Sequence, residues 1–311
     1  MSELKYFAWQ GIELMIPKDW DLAVDAGNFD NGYFRLDDYV KPRLEIKWEK
    51  IKFEKAPTSD KLLENFIKSM EKNLKKRKIQ TKVSILEKQN TKVAEHDAVL
   101  AYVRSVQDAL IVAWYCEKSE RAFIAQTVFP AKEYDNQKKA FNTVIQKLMC
   151  HTSDENITWS AYGFKVKIPA LYRLSNRKFT SGLSYLFFMD PKGYNIVSFG
   201  YSSMANVILK EYYSDIEEWF NELIYKKNLK KIGKFKRKKE ENAQLNRQKH
   251  EARVLYLETY GFISKFKNYM VVYLWNCENL NRLYFLLTII KGNRTKAKDL
   301  ATSIMKDFQC H

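Results

Sequence analysis

The second half of this 311-residue sequence repeats the first, and the repeat limits the folds open to the chain more than any other feature. Three short segments recur between the halves: Trp114-Tyr115-Cys116-Glu117 with Trp275-Asn276-Cys277-Glu278, His96-Asp97-Ala98 with His250-Glu251-Ala252, and Cys150-His151 with Cys310-His311. The chain has four cysteines and four histidines, and each has a counterpart in the other half. Such a chain is expected to fold as two copies of one unit.

The repeat predicts two domains, residues 1–152 and 156–311, joined by a short polar linker at residues 152–156. The length of the chain also fits about two domains. With 46% hydrophobic and 14% aromatic residues, each half can bury a core of its own. Disorder is therefore not expected in either half.

Each half opens with an alternating strand that ends at a proline. In the first half the apolar residues Ile12, Leu14 and Ile16 occupy every second position before Pro17. The second half repeats this pattern between Gly163 and Pro169. A helix is predicted from each Ser-Asp pair, at 59–60 and 214–215, to an Asn-Leu-Lys-Lys segment at 73–76 and 228–231. The two helices match without a gap, which supports the duplication.

Further segments with strand patterns complete each half. They are residues 32–36, 43–48, 83–86, 97–104, 110–115 and 121–129, and then 183–188, 195–199, 253–259, 269–275 and 282–290. A closing helix is predicted at 136–149 and at 295–308. The predicted fold class is α+β, with two tandem repeats, each an antiparallel β-sheet flanked by helices.

This order of elements resembles the PsbP-like fold. The resemblance rests on Gly11 to Pro17 followed by Trp20, the helix after a hairpin, the run of strands and the closing helix, and it covers both halves. The fold is shared by an extrinsic subunit of photosystem II, bacterial lipoproteins and a Ran-binding import factor. The resemblance implies a fold and no activity, because members of this group differ widely in function.

The net charge and the amino-terminal sequence indicate which partners the protein binds and in which cell compartment it is found. The formal charge is +16, from 53 basic and 37 acidic side chains, and it favours polyanionic partners. The amino terminus has neither a basic nor an apolar signal region, and no run of about 18 apolar residues exists. A cytoplasmic protein with reduced cysteines is therefore expected.

The recurring cysteines and histidines form one candidate metal set in each half. The two sets are His96, Cys116, Cys150 and His151, and His250, Cys277, Cys310 and His311. Thiolate and imidazole together suit Zn²⁺, which structural sites often bind as Cys₂His₂. Four protein ligands leave no position for water, so a zinc ion held in this way would be structural.

Two other interpretations of these residues remain open. Cys116 and Cys277 can be buried strand residues, which is a common place for a free cysteine, with the histidines in turns. Cys116 and Cys150 can also form a disulfide. Because adjacent side chains diverge in a regular helix, Cys150 and His151 can both bind one ion only where the helix end is frayed.

Basic segments leave the first helix of each repeat at the same point. The residues concerned are Lys72, Lys75, Lys76, Arg77 and Lys78, and then Lys226, Lys227, Lys230, Lys231, Lys234, Lys236, Arg237, Lys238 and Lys239. Such runs bind phosphates through charge that is independent of sequence. Lysines at a helix end also complement the helix dipole, but the second run is too dense for capping alone.

No enzyme pattern is present. The chain lacks a glycine-rich phosphate loop, a Ser-His-Asp pattern and an H-E-x-x-H motif, and all its histidines are in the metal sets. Glu117 with Arg121, and Glu278 with Arg282, recur as predicted ion pairs. We therefore expect a non-enzymatic protein that binds RNA or a ribonucleoprotein such as the ribosome. The alternative is a scaffold that docks an acidic protein partner.

Overall fold

The computed structural model describes residues 3–152, 154–180, 182–245, 250–259 and 267–310. The chain divides into two compact units, residues 1–162 and 163–311. Among the helices of the described residues, none is both long enough and apolar enough to cross a membrane.

The first unit is built mainly from antiparallel strands. Its strands are β1 (Leu4–Trp9), β2 (Ile12–Pro17), β3 (Asp21–Gly27), β4 (Asn31–Asp37), β5 (Pro42–Lys50), β6 (Ser84–Val93), β7 (His96–Arg104), β8 (Asp108–Cys116), β9 (Arg121–Phe129) and β10 (Asn156–Ala161). Its helices are α1 (Ser59–Lys76) and α2 (Tyr134–Ile145). The strands β3 to β9 form a seven-stranded sheet in the order β3-β4-β5-β9-β8-β7-β6, and β10, β1 and β2 are neighbours in a smaller sheet.

The sequence pattern explains which strands are central and which are edges. Strand β8 is apolar along nearly its whole length and almost entirely buried, as expected of a strand covered on both faces. Strand β6 is polar and mostly exposed, and it lies at the edge of the sheet. Helix α1 is capped by the Thr58 side chain, which accepts a hydrogen bond from the Lys61 N–H, and its Leu63 packs on Val99 and Ile111 of the sheet.

The second unit contains eight described strands. They are β11 (Phe164–Pro169), β12 (Arg173–Lys178), β13 (Ser184–Met189), β14 (Ile196–Ser203), β15 (Phe235–Leu245), β16 (His250–Thr259), β17 (Asn268–Cys277) and β18 (Arg282–Lys291). Its helices are α3 (Ala205–Glu211), α4 (Ile216–Phe220), which continues as a π-helical segment at Asn221–Leu229, and α5 (Arg294–Asp307). The large sheet has the order β12-β13-β14-β18-β17-β16-β15.

The two large sheets have the same strand order when their strands are counted from the start of each sheet. In each, the first three strands form a meander, and the last strand in sequence lies beside the third. The helix after the meander packs on the sheet in both units. The predicted antiparallel sheets with helices are present, but sheet outweighs helix more than the α+β prediction implied.

Candidate metal centres

In the first unit, two adjacent strands bring His96 and Cys116 together. His96 begins β7 and Cys116 ends β8, and the antiparallel register pairs Ala98 with Trp114. Continuing that register by two residues places His96 opposite Cys116. The His-x-Ala and Trp-x-Cys motifs are therefore neighbours at one end of the sheet.

The other two ligands come from the segment after α2. The prediction that this helix runs to Met149 is wrong, because α2 ends at Ile145 and a turn follows. Met149 then pairs with Glu13 of β2 through two backbone hydrogen bonds of 2.8 and 2.9 Å. Cys150 and His151 consequently lie beyond the helix, which removes the divergence that a regular helix imposes on adjacent side chains.

The four ligand atoms lie within 4.8 Å of one another. Nδ1 of His151 is 3.4 Å from Nε2 of His96, 3.4 Å from Sγ of Cys116 and 3.6 Å from Sγ of Cys150. Tetrahedral zinc, with bonds of about 2.0 Å to nitrogen and about 2.3 Å to sulfur, separates two nitrogens by about 3.3 Å and nitrogen from sulfur by about 3.6 Å. The three distances from His151 are therefore close to the edge lengths of a zinc tetrahedron.

The two sulfurs of this cluster are fully buried and hydrogen-bonded to each other. The hydrogen bond from the Cys150 thiol lowers the pKa of Cys116, and the nearby charge of His96 acts in the same direction. The same hydrogen bond, together with burial, raises the pKa of Cys150. Because the thiolate is the form that binds metal, the lowered pKa of Cys116 favours metal binding by that sulfur. None of the four cysteines, all of which lie in the described residues, forms a disulfide.

Two neighbouring side chains hold the first cluster in place. Arg121 is fully buried and donates to the carbonyl of Cys150 at 2.8 Å, and also to those of Gln10 at 2.9 Å and Phe29 at 3.2 Å. Trp114 lies two residues before Cys116, and its fully buried indole lies near the Cys150 thiol. Partners of this kind orient ligands and tune a metal site. Both residues recur in the second half, Arg121 as Arg282 and Trp114 as Trp275, but the sequence pattern did not indicate this role.

The second unit brings three of its four predicted ligands together. The ligand atoms of His250, Cys277 and Cys310 lie within 4.8 Å of one another, and His250 Nε2 is 3.3 Å from Cys310 Sγ. Burial and the neighbouring Cys277 raise the pKa of Cys310 to about 12. The fourth predicted ligand, His311, lies outside the described residues.

The surroundings of the second cluster resemble those of the first. Gln309, which precedes Cys310, pairs with Lys165 of β11 through two backbone hydrogen bonds of 2.8 Å. The indole of Trp275 is fully buried and lies near the Cys310 thiol. Its ring stacks on Tyr284 with centroids 5.2 Å apart, as the Trp114 ring stacks on Phe123 at 4.9 Å in the first unit. In each unit, therefore, the residue before the Cys-His pair forms a backbone pair with a strand near the start of the unit. These pairs are Met149 with Glu13 of β2 and Gln309 with Lys165 of β11.

The predicted basic residues of the first unit are grouped at the end of α1. The members of this group, which we name the α1 cation cluster, are Lys72, Lys75, Lys76, Arg77 and Lys78. All five are exposed, and within the described residues none forms an ion pair with a carboxylate. The helix ends in a Schellman-type turn, in which the Lys78 N–H donates to Lys75 and the Ile79 N–H donates to Leu74, both at 3.0 Å.

The predicted basic residues of the second unit are arranged differently. Lys226 pairs with Glu222, while Lys227, Lys230, Lys231 and Lys234 lie in or after the π-helical segment. Lys236, Arg237, Lys238 and Lys239 belong to the edge strand β15 rather than to a helix end. Arg237 pairs with Glu217 at 3.1 Å and with Glu240 at 2.8 Å, Lys238 with Glu258 at 3.0 Å, and Lys239 with Glu241. Much of the charge in the densest run is therefore matched by carboxylates of the same unit.

Comparison with known proteins gives a loose likeness in fold. The sequence matches no protein family and no curated protein. A solution structure of PsbP from Synechocystis sp. PCC 6803 is similar over 49% of this chain and 94% of its own, with 13% identity and a TM-score of 0.38. The type VI secretion immunity protein TplEi of Pseudomonas aeruginosa is similar over 98% of this chain and 96% of its own, with 10% identity and a TM-score of 0.36. The predicted PsbP-like resemblance is thus confirmed as a loose one, and it bears on the fold alone.

Proposed function

We propose that the chain is a non-enzymatic protein-binding protein, made of two duplicated units that each hold one structural zinc ion. It would dock an acidic protein partner through the α1 cation cluster. The observation that carries the proposal is this cluster, five exposed cations held at one helix end with no carboxylate partner among the described residues. Uncompensated charge of one sign on a surface favours a partner of the opposite sign.

The duplication into domains of about 1–152 and 156–311 is supported by the equal strand order of the two large sheets. The backbone pairs of Met149 with Glu13 and of Gln309 with Lys165 support it further. Met149 and Gln309 each precede a Cys-His pair, and their partners each lie two residues after a recurring glycine, Gly11 or Gly163. Chance recurrence of a long-range pair at matching positions in two halves is improbable. A single ancestral unit that doubled explains both.

Structural zinc is supported by the ligand geometry of the first unit and by the softness of its donors. With four protein ligands around the ion, no coordination position is left to activate water, which argues against hydrolytic chemistry there. For the second unit the proposed ligands are the three clustered residues and His311. Zinc-thiolate sites persist where cysteines stay reduced, and the cytoplasm is therefore the proposed location.

A protein partner fits the α1 cation cluster better than RNA does. The cluster is compact and lies beside Ile79, an apolar side chain that is 37% exposed. Protein interfaces combine apolar contact with a polar rim, whereas nucleic-acid grooves need a longer positive track, commonly with stacking aromatic rings. In the second unit, Glu217 and Glu240 both pair with Arg237 and would repel a phosphate backbone there.

Reversing the charge of the α1 cation cluster tests this function. We expect the variant Lys75→Glu, Lys76→Glu, Lys78→Glu to bind a short labelled polyglutamate peptide about tenfold or more weakly than the intact chain does, by fluorescence anisotropy at low salt. The matched control is Lys52→Glu, Lys132→Glu, Lys139→Glu, which makes the same change in net charge at exposed positions of the same unit. The control should bind polyglutamate nearly as well as the intact chain.

The same titration with an oligouridylate of equal length decides between the two partner classes. Tighter binding of oligouridylate than of polyglutamate, lost in the α1 variant, would replace the protein-docking proposal with the RNA prediction. Equal losses in the α1 variant and its control would mean that only net charge matters. In that case the cluster is a solvated helix end.

A further inference from the structure

The second unit contains a concave pocket beside the start of α5. Its volume is about 270 Å³, and strands β15, β16 and β17 form its other walls. Apolar side chains of Leu257, Met270 and Val271 contribute to the lining. The polar side chains around it are those of Lys238, Lys239, Tyr256, Glu258, Tyr269, Arg294, Thr295 and Lys298.

One wall of the pocket is organised around a buried carboxylate. Glu258 is only 8% exposed and pairs with Arg294 at 2.7 Å, Lys238 at 3.0 Å and Lys267 at 3.3 Å. The hydrogen bond from Lys238, together with those from Arg294 and Lys267, lowers the pKa of Glu258 to about 2. The carboxylate is therefore ionised at neutral pH, and it fixes three cations at the edge of the pocket.

Positive charge exceeds negative charge at this place. Five cations, Lys238, Lys239, Lys267, Arg294 and Lys298, stand against two carboxylates, Glu241 and Glu258, which leaves an excess of three positive charges. Cations so close together repel one another, and the repulsion is stronger in a concave site than on an open surface. A bound anion would offset that repulsion.

The positive end of the α5 dipole adds to this excess of positive charge. The first turn of α5 contains no acidic residue, although the positive end of a helix dipole usually attracts Asp or Glu. Arg294, whose charge opposes the dipole there, lines the pocket instead, together with Lys298 of the next turn. The corresponding helix of the first unit, α2, has Asp135 in its first turn. The unfavourable arrangement is thus specific to the second unit, and an anion in the pocket would make it favourable.

The two tyrosines give the pocket flat apolar walls. The ammonium groups of Lys239 and Lys298 lie 5.6 and 5.8 Å from the centre of the Tyr256 ring, and the guanidinium of Arg294 lies 5.4 Å from that of Tyr269. The Tyr256 hydroxyl donates to Glu241 at 2.5 Å, which fixes the ring. The site therefore combines fixed cations with aromatic surface.

We infer that this pocket binds a phosphoryl group attached to a planar ring. The excess cations and the first turn of α5 would receive the phosphoryl group, and Tyr256 and Tyr269 would contact the ring. Such a group occurs in a nucleotide and in a phosphotyrosine side chain. This site is distinct from the α1 cation cluster, which belongs to the other unit, and its ligand is a small group rather than an acidic protein surface.

Calorimetric titration of the full chain tests the inference with two probes. Adenosine 5′-monophosphate represents the nucleotide source, and N-acetyl-phosphotyrosine amide represents the modified side chain. Adenosine and N-acetyl-tyrosine amide are the matched compounds without a phosphoryl group. We expect saturable binding of at least one phosphorylated probe, and the probe that binds more tightly identifies the source.

Lys298→Gln is the informative variant, because Lys298 is exposed and forms no ion pair with Glu258. It should weaken binding of the phosphorylated probe about tenfold. The control Lys306→Gln, at the other end of α5, should change binding less than about twofold. The inference is overturned if neither phosphorylated probe saturates, if the compounds without phosphate bind as tightly, or if Lys298→Gln binds like the intact chain.

Discussion

Replacing Cys116 with serine is expected to remove one zinc ion per chain and to destabilise the first unit by about 3 kcal/mol or more. The reason is that the free energy of metal binding becomes folding free energy when the ligands converge only in the folded state. Cys116 is one of four proposed ligands, which come from three separate segments. Chemical denaturation followed by hydrogen-exchange mass spectrometry would measure the loss separately in each unit.

A chelator distinguishes metal binding from the loss of a buried cysteine. If Cys116 only fills space, serine still costs about 1–3 kcal/mol for burying a hydroxyl, and a chelator changes nothing. If Cys116 binds zinc, the chelator destabilises the intact first unit and has little effect on the variant. The matched control is Cys277→Ser, which should shift the exchange of β17 and β18 and leave β8 and β9 unchanged. A first unit that is insensitive to chelator in both forms would contradict the zinc proposal.

The variant Arg121→Met is expected to lower the stability of the first unit by about 3 kcal/mol or more. It removes a buried guanidinium that donates to three carbonyl groups, and it leaves those carbonyls without that partner. It also removes cation–π contacts with Phe29 at 4.4 Å and Phe123 at 5.0 Å. Urea denaturation of the variant measures the change.

Because one of these carbonyls belongs to Cys150, the same variant should also weaken zinc binding, by about 10- to 100-fold. Competition with a fluorescent zinc chelator measures the zinc affinity of the variant independently of its stability. The control Arg77→Met makes the same substitution at an exposed site and should change stability by less than about 0.5 kcal/mol. A variant as stable as this control would show that Arg121 does not organise the site.

Much of the cysteine–histidine clustering could be predicted from the sequence because it depends on rare residue types. Cysteine and histidine recur only where the two halves superpose, so the alignment alone selected His96, Cys116 and Cys150 as partners. The strands that carry the first two were also predictable, since β7 and β8 are apolar along their length. Their convergence with the end of the unit depends on the long-range pair of Met149 with Glu13, which no local pattern encodes.

The placement of the second basic run could not be predicted for a related reason. Residues 235–245 are mostly polar and exposed on both faces, so they lack the alternation that identifies a half-buried strand. They form β15 because the backbone of β16 offers hydrogen bonds along its whole length. Lysine density suggested a phosphate-binding helix end, whereas the carboxylates that pair with Arg237 and Lys238 include Glu217 and Glu258, which are distant in the sequence.

The central claim is that sulfur and imidazole side chains converge in each unit because they hold a metal ion. Elemental analysis of the chain, purified without chelator, tests this claim most directly. We expect about two zinc ions per chain, falling to about one in Cys116→Ser. A chain that contains no zinc, and takes up none when zinc is added under reducing conditions, would contradict the claim.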